Sequence, residues 1–145
     1  MPGNCERPVV PAFGNLAAAA KRGNVFAFNR TRDACLAADV AVADTFFRRL
    51  KGLLGQPHGW AQAHRGLWIV PSRGVHMFGM RFAIDVVFLG RGEIVVHLEQ
   101  NLRPWRVSRV VPSARSVLEL PAGAIARTAT HVGDQIAFRS EEKAP

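Results

Sequence analysis

Ile84-Asp85-Val86-Val87-Phe88-Leu89-Gly90-Arg91-Gly92-Glu93-Ile94-Val95-Val96-His97-Leu98-Glu99 is the stretch that decides the fold. Ile84 to Leu89 reads as a buried strand and Gly90-Arg91-Gly92 as a tight glycine turn. Glu93 to Glu99 reads as the returning strand, with Ile94, Val96 and Leu98 inward and Glu93, His97 and Glu99 outward. One acid, Asp85, interrupts the apolar run. It shares a face with Val87 and Leu89, while Ile84, Val86 and Phe88 take the other. Both faces read as covered, and a desolvated carboxyl group needs backbone N–H donors or a cation. Asp85 is therefore either an anchor tying down a neighbouring loop or Arg81, or the floor of a site.

The same signals repeat outward from this hairpin. Val25-Phe26-Ala27-Phe28 begins a short strand. Residues 34–43 form a second, with Leu36, Ala38, Val40 and Val42 on one face. The period then changes. Phe46, Phe47, Leu50, Leu53 and Leu54 lie on one helical stripe between a capping Asp44 and a terminating Gly55. Arg49 falls at the edge of that stripe, about 40° from Leu53 at roughly 100° per residue. Leu67 to Val70 is a short apolar run closed by Pro71. Val117 to Leu120 is another strand, Ile125 to Thr128 a single helical turn, and Gln135 to Phe138 a last strand. Short strands with Gly and Pro turns and one substantial helix, at about residues 44–54, predict a mainly β fold. The expectation is a compact antiparallel β sandwich or barrel-like single domain over 24–139. Residues 1–23, punctuated by Pro and Gly, read as a flexible or loosely docked extension, and 140–145 as a polar tail.

The chain has 145 residues and a formal net charge of +8, with Arg supplying 16 of its 19 basic residues. No apolar run approaches the roughly 20 residues that span a bilayer. The arginines run from Arg7 to Arg139 without a dense basic cluster, so the charge by itself does not argue for nucleic acid. Cys5 and Cys35 lack the spacing of a zinc site or a disulfide framework. Cys35 reads as a small packed hydrophobe, with a bridge not expected. Neither a P-loop, a dinucleotide fingerprint, an H-E-x-x-H helix nor a G-x-S-x-G elbow is present.

His76 lies just upstream of Asp85 and is either a locally bonded ring or a base or ligand contact beside that acid. The pair has no evident Ser or Cys partner, which weakens a hydrolytic reading. A metal site would need a third ligand, and none is expected. Glu119 repeats the pattern of one acid among apolar strand residues and invites an arginine partner, from Arg49 or from Arg103-Pro104-Trp105-Arg106. That tetrapeptide sets two guanidinium groups about an indole, suited to an anionic or sugar-like ligand or to pinning its own loop.

Five motifs in this order resemble one prokaryotic family: Arg49-x-x-Gly52-Leu53-Leu54-Gly55; His76-x-Phe78-Gly79-Met80-Arg81-Phe82-x-Ile84-Asp85-Val86-Val87-Phe88; Leu102-Arg103-Pro104-Trp105-Arg106; Val117-Leu118-Glu119-Leu120-Pro121-Ala122-Gly123; and Gly133-Asp134. The family is domain-of-unknown-function family 192, also called uncharacterised protein family 0127. The resemblance covers about Val40 to Phe138. Leu54 stands where the pattern often has Met, and Ala83 where it commonly has Pro. The resemblance implies a compact, mainly β domain with one helix. It implies no settled reaction and no cofactor, and it leaves export to the envelope open beside the cytoplasmic location that the sequence favours.

The functional expectation is a non-catalytic module that binds a small molecule, a glycan or a protein. Its candidate contacts are Arg49, Arg103, Trp105, Arg106 and Glu119. The alternative is a small hydrolase or lyase using His76 and Asp85. Weak nucleic-acid binding from net charge stands third.

Overall fold

The computed structural model describes residues 25–43, 60 and 64–140. Seven strands form one sheet: β1 (Val25–Asn29), β2 (Ala34–Ala43), β3 (Arg65–Ile69), β4 (Ile84–Leu89), β5 (Val95–Leu102), β6 (Ser116–Pro121) and β7 (Ile136–Ser140). Their spatial order is β5-β4-β6-β3-β2-β1-β7. Every pairing is antiparallel except β2 with β3, which run parallel. A short helix, α1 (Ala124–Thr128), follows β6.

The sheet curls into a half-barrel. Its two ends meet where Ile94 bridges Gln135, with Val95 N–H donating to the Asp134 carbonyl at 2.9 Å and Gly133 N–H to the Val95 carbonyl at 2.8 Å. One core layer draws on all seven strands and α1, including Val25, Leu36, Trp68, Val87, Val95, Leu118 and Phe138, and so fills the inside of the curl. Trp68 and Phe138 stack there at 3.9 Å. A second layer covers the outer face of β3, β4 and β6 with Trp60, Met77, Met80, Ala114 and their neighbours. β4 and β6 are thus buried on both faces along their whole length. That is why Ile84 to Leu89 reads as a near-continuous apolar run instead of an alternating one.

The turn expected at Gly90-Arg91-Gly92 forms but runs one residue longer, as a tight 3-10 turn with Gly92 and Glu93 at φ of 66° and 56°, and β5 begins at Val95 instead of Glu93. The alternation beyond it shifts, because the β4–β5 register slips between Phe88 and Leu89. Val95, not Val96, therefore enters the inner layer, and Val96 packs against the outer one. Close approach demands a glycine at 66: a Cβ there would meet the Ala37 Cβ at 3.1 Å and Leu120 and Val40 at 3.3 Å.

The helix expected at 44–54, with Arg49, lies outside the described residues, as do the 1–23 extension and residues 141–145. Ser140, expected in the tail, is the last residue of β7, opposite Val25. A further expectation is overturned. Cys35 is disulfide-bonded, not an unbridged packing residue. It is half-buried near the start of β2, so its sulfur remains within reach of another part of the chain.

Candidate functional site

Three acids are buried in this fold, each handled differently. Asp85 on β4 is 1% exposed. Its Oδ1 accepts from Asn101 N–H at 2.9 Å, and its Oδ2 from Gly123 N–H at 3.1 Å and Ile125 N–H at 3.0 Å. Gly123 is left-handed at φ 96° and caps α1 without a side chain of its own. Left-handed then right-handed residues turn successive N–H groups to one point, a concavity suited to an anion. Asp85 fills it from a neighbouring strand, serving as the cap that Gly123 lacks. No hydrogen bond joins Asp85 to His76, whose ring is exposed and stacks on Phe78 at 5.3 Å. The structure therefore does not bring the two expected catalytic candidates into an acid–base pair.

Glu119 on β6 is 5% exposed and projects into the outer layer, flanked by Leu67 and Val86 in register. Among the described residues nothing bonds its carboxyl group, and burial pushes its pKa up to about 8. Neither Arg103 nor Arg106 pairs with it. Glu99, in the same cross-strand row beyond Val86, takes the outer face too. Its Oε1 lies 3.6 Å from His97 Nε2 and accepts from Arg109 N–H at 3.2 Å, while its Oε2 is buried without a partner among the described residues. His97 and Glu99, expected to face water, are half-buried.

The third acid belongs to a network that nothing in the sequence connects. Asn29, fully buried at the end of β1, donates to Thr130 Oγ1 and Asp134 Oδ2, each at 3.0 Å. Arg32 Nε at 3.0 Å and His131 N–H at 2.9 Å also reach Asp134 Oδ2. Burial alone would raise the Asp134 pKa. The bonds from Arg32, Asn29 and His131 outweigh it and hold the group down at about 2. An Asn closing an apolar strand just before the polar Arg30–Asp33 turn was the available signal for this role.

The remaining candidates meet in one place. Residues 72–82 and 103–111 run side by side as an arm over the outer layer. His76 bridges Val107, and backbone bonds link Met77 N–H to the Arg106 carbonyl, Trp105 N–H to the Met77 carbonyl, both at 2.8 Å, and Ser108 N–H to the Val75 carbonyl at 2.9 Å. Met77 and Met80 point into the core, while Phe78 is 49% and Trp105 68% exposed. Their ring centroids are 6.2 Å apart, continuing a train of rings from His76. Trp105 is held at φ 67°, a left-handed conformation that a bulky side chain rarely adopts. Farther along the same segment, Val107 and Val110 are 61% and 74% exposed. Arg103 and Arg106 flank the indole in sequence and are exposed. A recess of ≈ 200 Å³ lies elsewhere, lined by Leu36, His64, Pro121, Gly123 and Arg127, and includes none of these side chains. The Arg127 guanidinium is engaged there by the Cys35 and Leu36 carbonyls. Among the described residues, no group of three His, Cys, Asp or Glu is placed to hold a metal ion, and no helix is long and apolar enough to cross a membrane.

Similarity to known proteins follows the same core. A UPF0127 protein of Thermococcus sibiricus is 34% identical over 120 residues, covering 79% of this chain and 75% of the relative. A UPF0127 protein of Thermococcus gammatolerans is 32% identical over 120 residues, covering 79% and 76%. The fold resembles a protein of unknown function from Novosphingobium aromaticivorans, with a TM-score of 0.65 at 20% identity, covering 79% of this chain and 83% of that one. It also resembles a protein from Sinorhizobium meliloti described as a putative transcription regulator, with a TM-score of 0.63 at 21% identity, covering 80% and 92%. Residues 27–138 match the DUF192 family, described as an uncharacterised ACR, and the chain belongs to that family.

Proposed function

We propose that this protein is a non-catalytic binding module whose working surface is the arm carrying His76, Phe78 and Trp105, and that its partner is another protein. The observation that carries this reading is Trp105. Its side chain is 68% exposed and its backbone is left-handed. Such a conformation costs a bulky residue on the order of 1–2 kcal/mol. A residue that strains the backbone yet buries little is retained for what it touches outside the fold. Phe78 adds a second exposed ring beside it, Val107 and Val110 are exposed farther along the arm, and aromatic residues with Arg are the groups that dominate protein interfaces. The recess beside Arg127 includes none of the arm's side chains, and exposed rings and valines suit a macromolecular face. An enzyme using His76 and Asp85 lacks the support of a bond between them, since Asp85 is occupied by three backbone amides.

Photocrosslinking in the cells that make the protein tests the reading. A benzophenone side chain at position 110 should give a discrete adduct that Trp105→Gly removes. The same group at position 91, on the β4–β5 turn, should not give that adduct. Equal adducts from both positions, or none from position 110, would overturn the proposal.

A further inference from the structure

We infer that the arm's occupant is an acidic segment of the partner that also carries apolar side chains to set against Phe78 and Trp105. This rests on the arm being the binding face, and it goes further by naming the chemistry of what binds. In sequence the arginines are scattered. In the fold, residues 72–77 are laid along 105–115, and the two segments to which they belong, 71–83 and 103–115, carry Arg73, Arg81, Arg103, Arg106, Arg109 and Arg115 with no Asp or Glu. All six arginines are exposed. Backbone bonds tie the two segments along their length, from Ser72 N–H to the Arg115 carbonyl at 3.0 Å and Val111 N–H to the Arg73 carbonyl at 2.8 Å, up to Trp105. The charge and the exposed apolar groups thus belong to the same two segments, which hold no acid of their own; Glu99 on β5 reaches them through the Arg109 N–H.

Such a surface selects for negative charge, through complementarity and steering. The apolar groups narrow the choice further. Val107 and Val110 offer aliphatic area that nucleobases do not stack on. His76 and Phe78 turn their faces to each other at an interplanar angle of 25°, instead of standing open as base platforms. Side chains of a peptide can pack against ring edges, valines and the indole, while their carboxylates meet the guanidinium groups.

Fluorescence anisotropy with labelled probes tests this. The probes are a twelve-residue glutamate peptide containing two phenylalanines, an all-glutamate peptide of the same length, and a twelve-residue oligothymidine. The mixed peptide should bind the full chain about tenfold more tightly than either of the others. Trp105→Gly should remove that preference without changing the charge. Arg103→Ala with Arg106→Ala should weaken binding and flatten its salt dependence. Arg30→Ala with Arg91→Ala, an equal loss of charge elsewhere on the surface, should leave binding within about twofold. Equal losses from both double variants would reduce the effect to net charge and overturn the inference. Tighter binding of oligothymidine would overturn it in favour of nucleic acid. If the mixed peptide fails while the position-110 adduct persists, the acidic occupant is refuted and the arm survives. If both fail, the reading of the arm falls as well.

Discussion

Asp85 demonstrates how a buried acid can be structural without meeting a cation. Three backbone N–H groups, one from β5 and two from the start of α1, converge on its carboxyl group. Removing it leaves the buried Ile125 N–H unpaired and takes the acceptor from two half-buried donors, and a buried unpaired donor costs on the order of 1–3 kcal/mol. Asp85→Ala should therefore destabilise the fold by about 2–3 kcal/mol in urea unfolding. Asp85→Asn, which keeps one acceptor oxygen, should lose less. A midpoint for Asp85→Ala within error of wild type would refute the anchoring role. Glu119 is the opposite case. It is buried with no bond to its carboxyl group among the described residues, so it weakens the fold whenever it is charged.

At the scale of elements, β3 and the arm make separate demands. β3 runs parallel to β2 and fits only because position 66 has no side chain. Gly66→Ala should cost about 1–3 kcal/mol, as overpacking does, with no change in the arm's exposed surface. The arm behaves differently. Trp105→Gly relieves a left-handed bulky residue and removes little buried area, so thermal melting should stay level or rise, by about 1 kcal/mol at most. A large loss of stability would mean that the indole serves the fold and not a partner. The pair of variants separates the two roles: one breaks packing and spares the surface, the other spares packing and removes the surface.

Over the whole molecule, Glu119 and Asp134 set opposite slopes of stability with pH. Asp134 sits near 2 when folded, below the ordinary 3.8, so its contribution is present above about 4 and is lost as pH falls through 2. Glu119 sits near 8 when folded, above the ordinary 4.5, so the folded state holds a proton that the unfolded chain has released between those values. Its effect is harmless below 4.5 and grows by roughly 1.4 kcal/mol per pH unit until pH passes 8. Stability should thus peak near pH 4–5 for these two groups and decline toward pH 8. Glu119→Gln should flatten that decline and exceed wild type by a few kcal/mol above pH 8, in urea titrations at stepped pH. An unchanged slope in the variant would show that Glu119 is not the group responsible.

Local patterns settled much of this protein from the sequence alone. The strands, the turn at Gly90-Arg91-Gly92, the short helix after Gly123 and the burial of Asp85 and Glu119 are written in alternation, turn residues and acids inside apolar runs, which depend on near neighbours. The family is equally legible from the five motifs. Three matters depended on the tertiary fold. The Phe88–Leu89 register slip exchanged Val96 for Val95 in the inner layer. Curling of the sheet brought Asn29 to Asp134, residues more than a hundred positions apart. Pairing of residues 72–77 with 105–115 brought His76 and the segment of Phe78 beside the strained Trp105. Each joins residues far apart in the chain, and such proximity is decided by strand register and sheet curvature, which no local run of residues encodes.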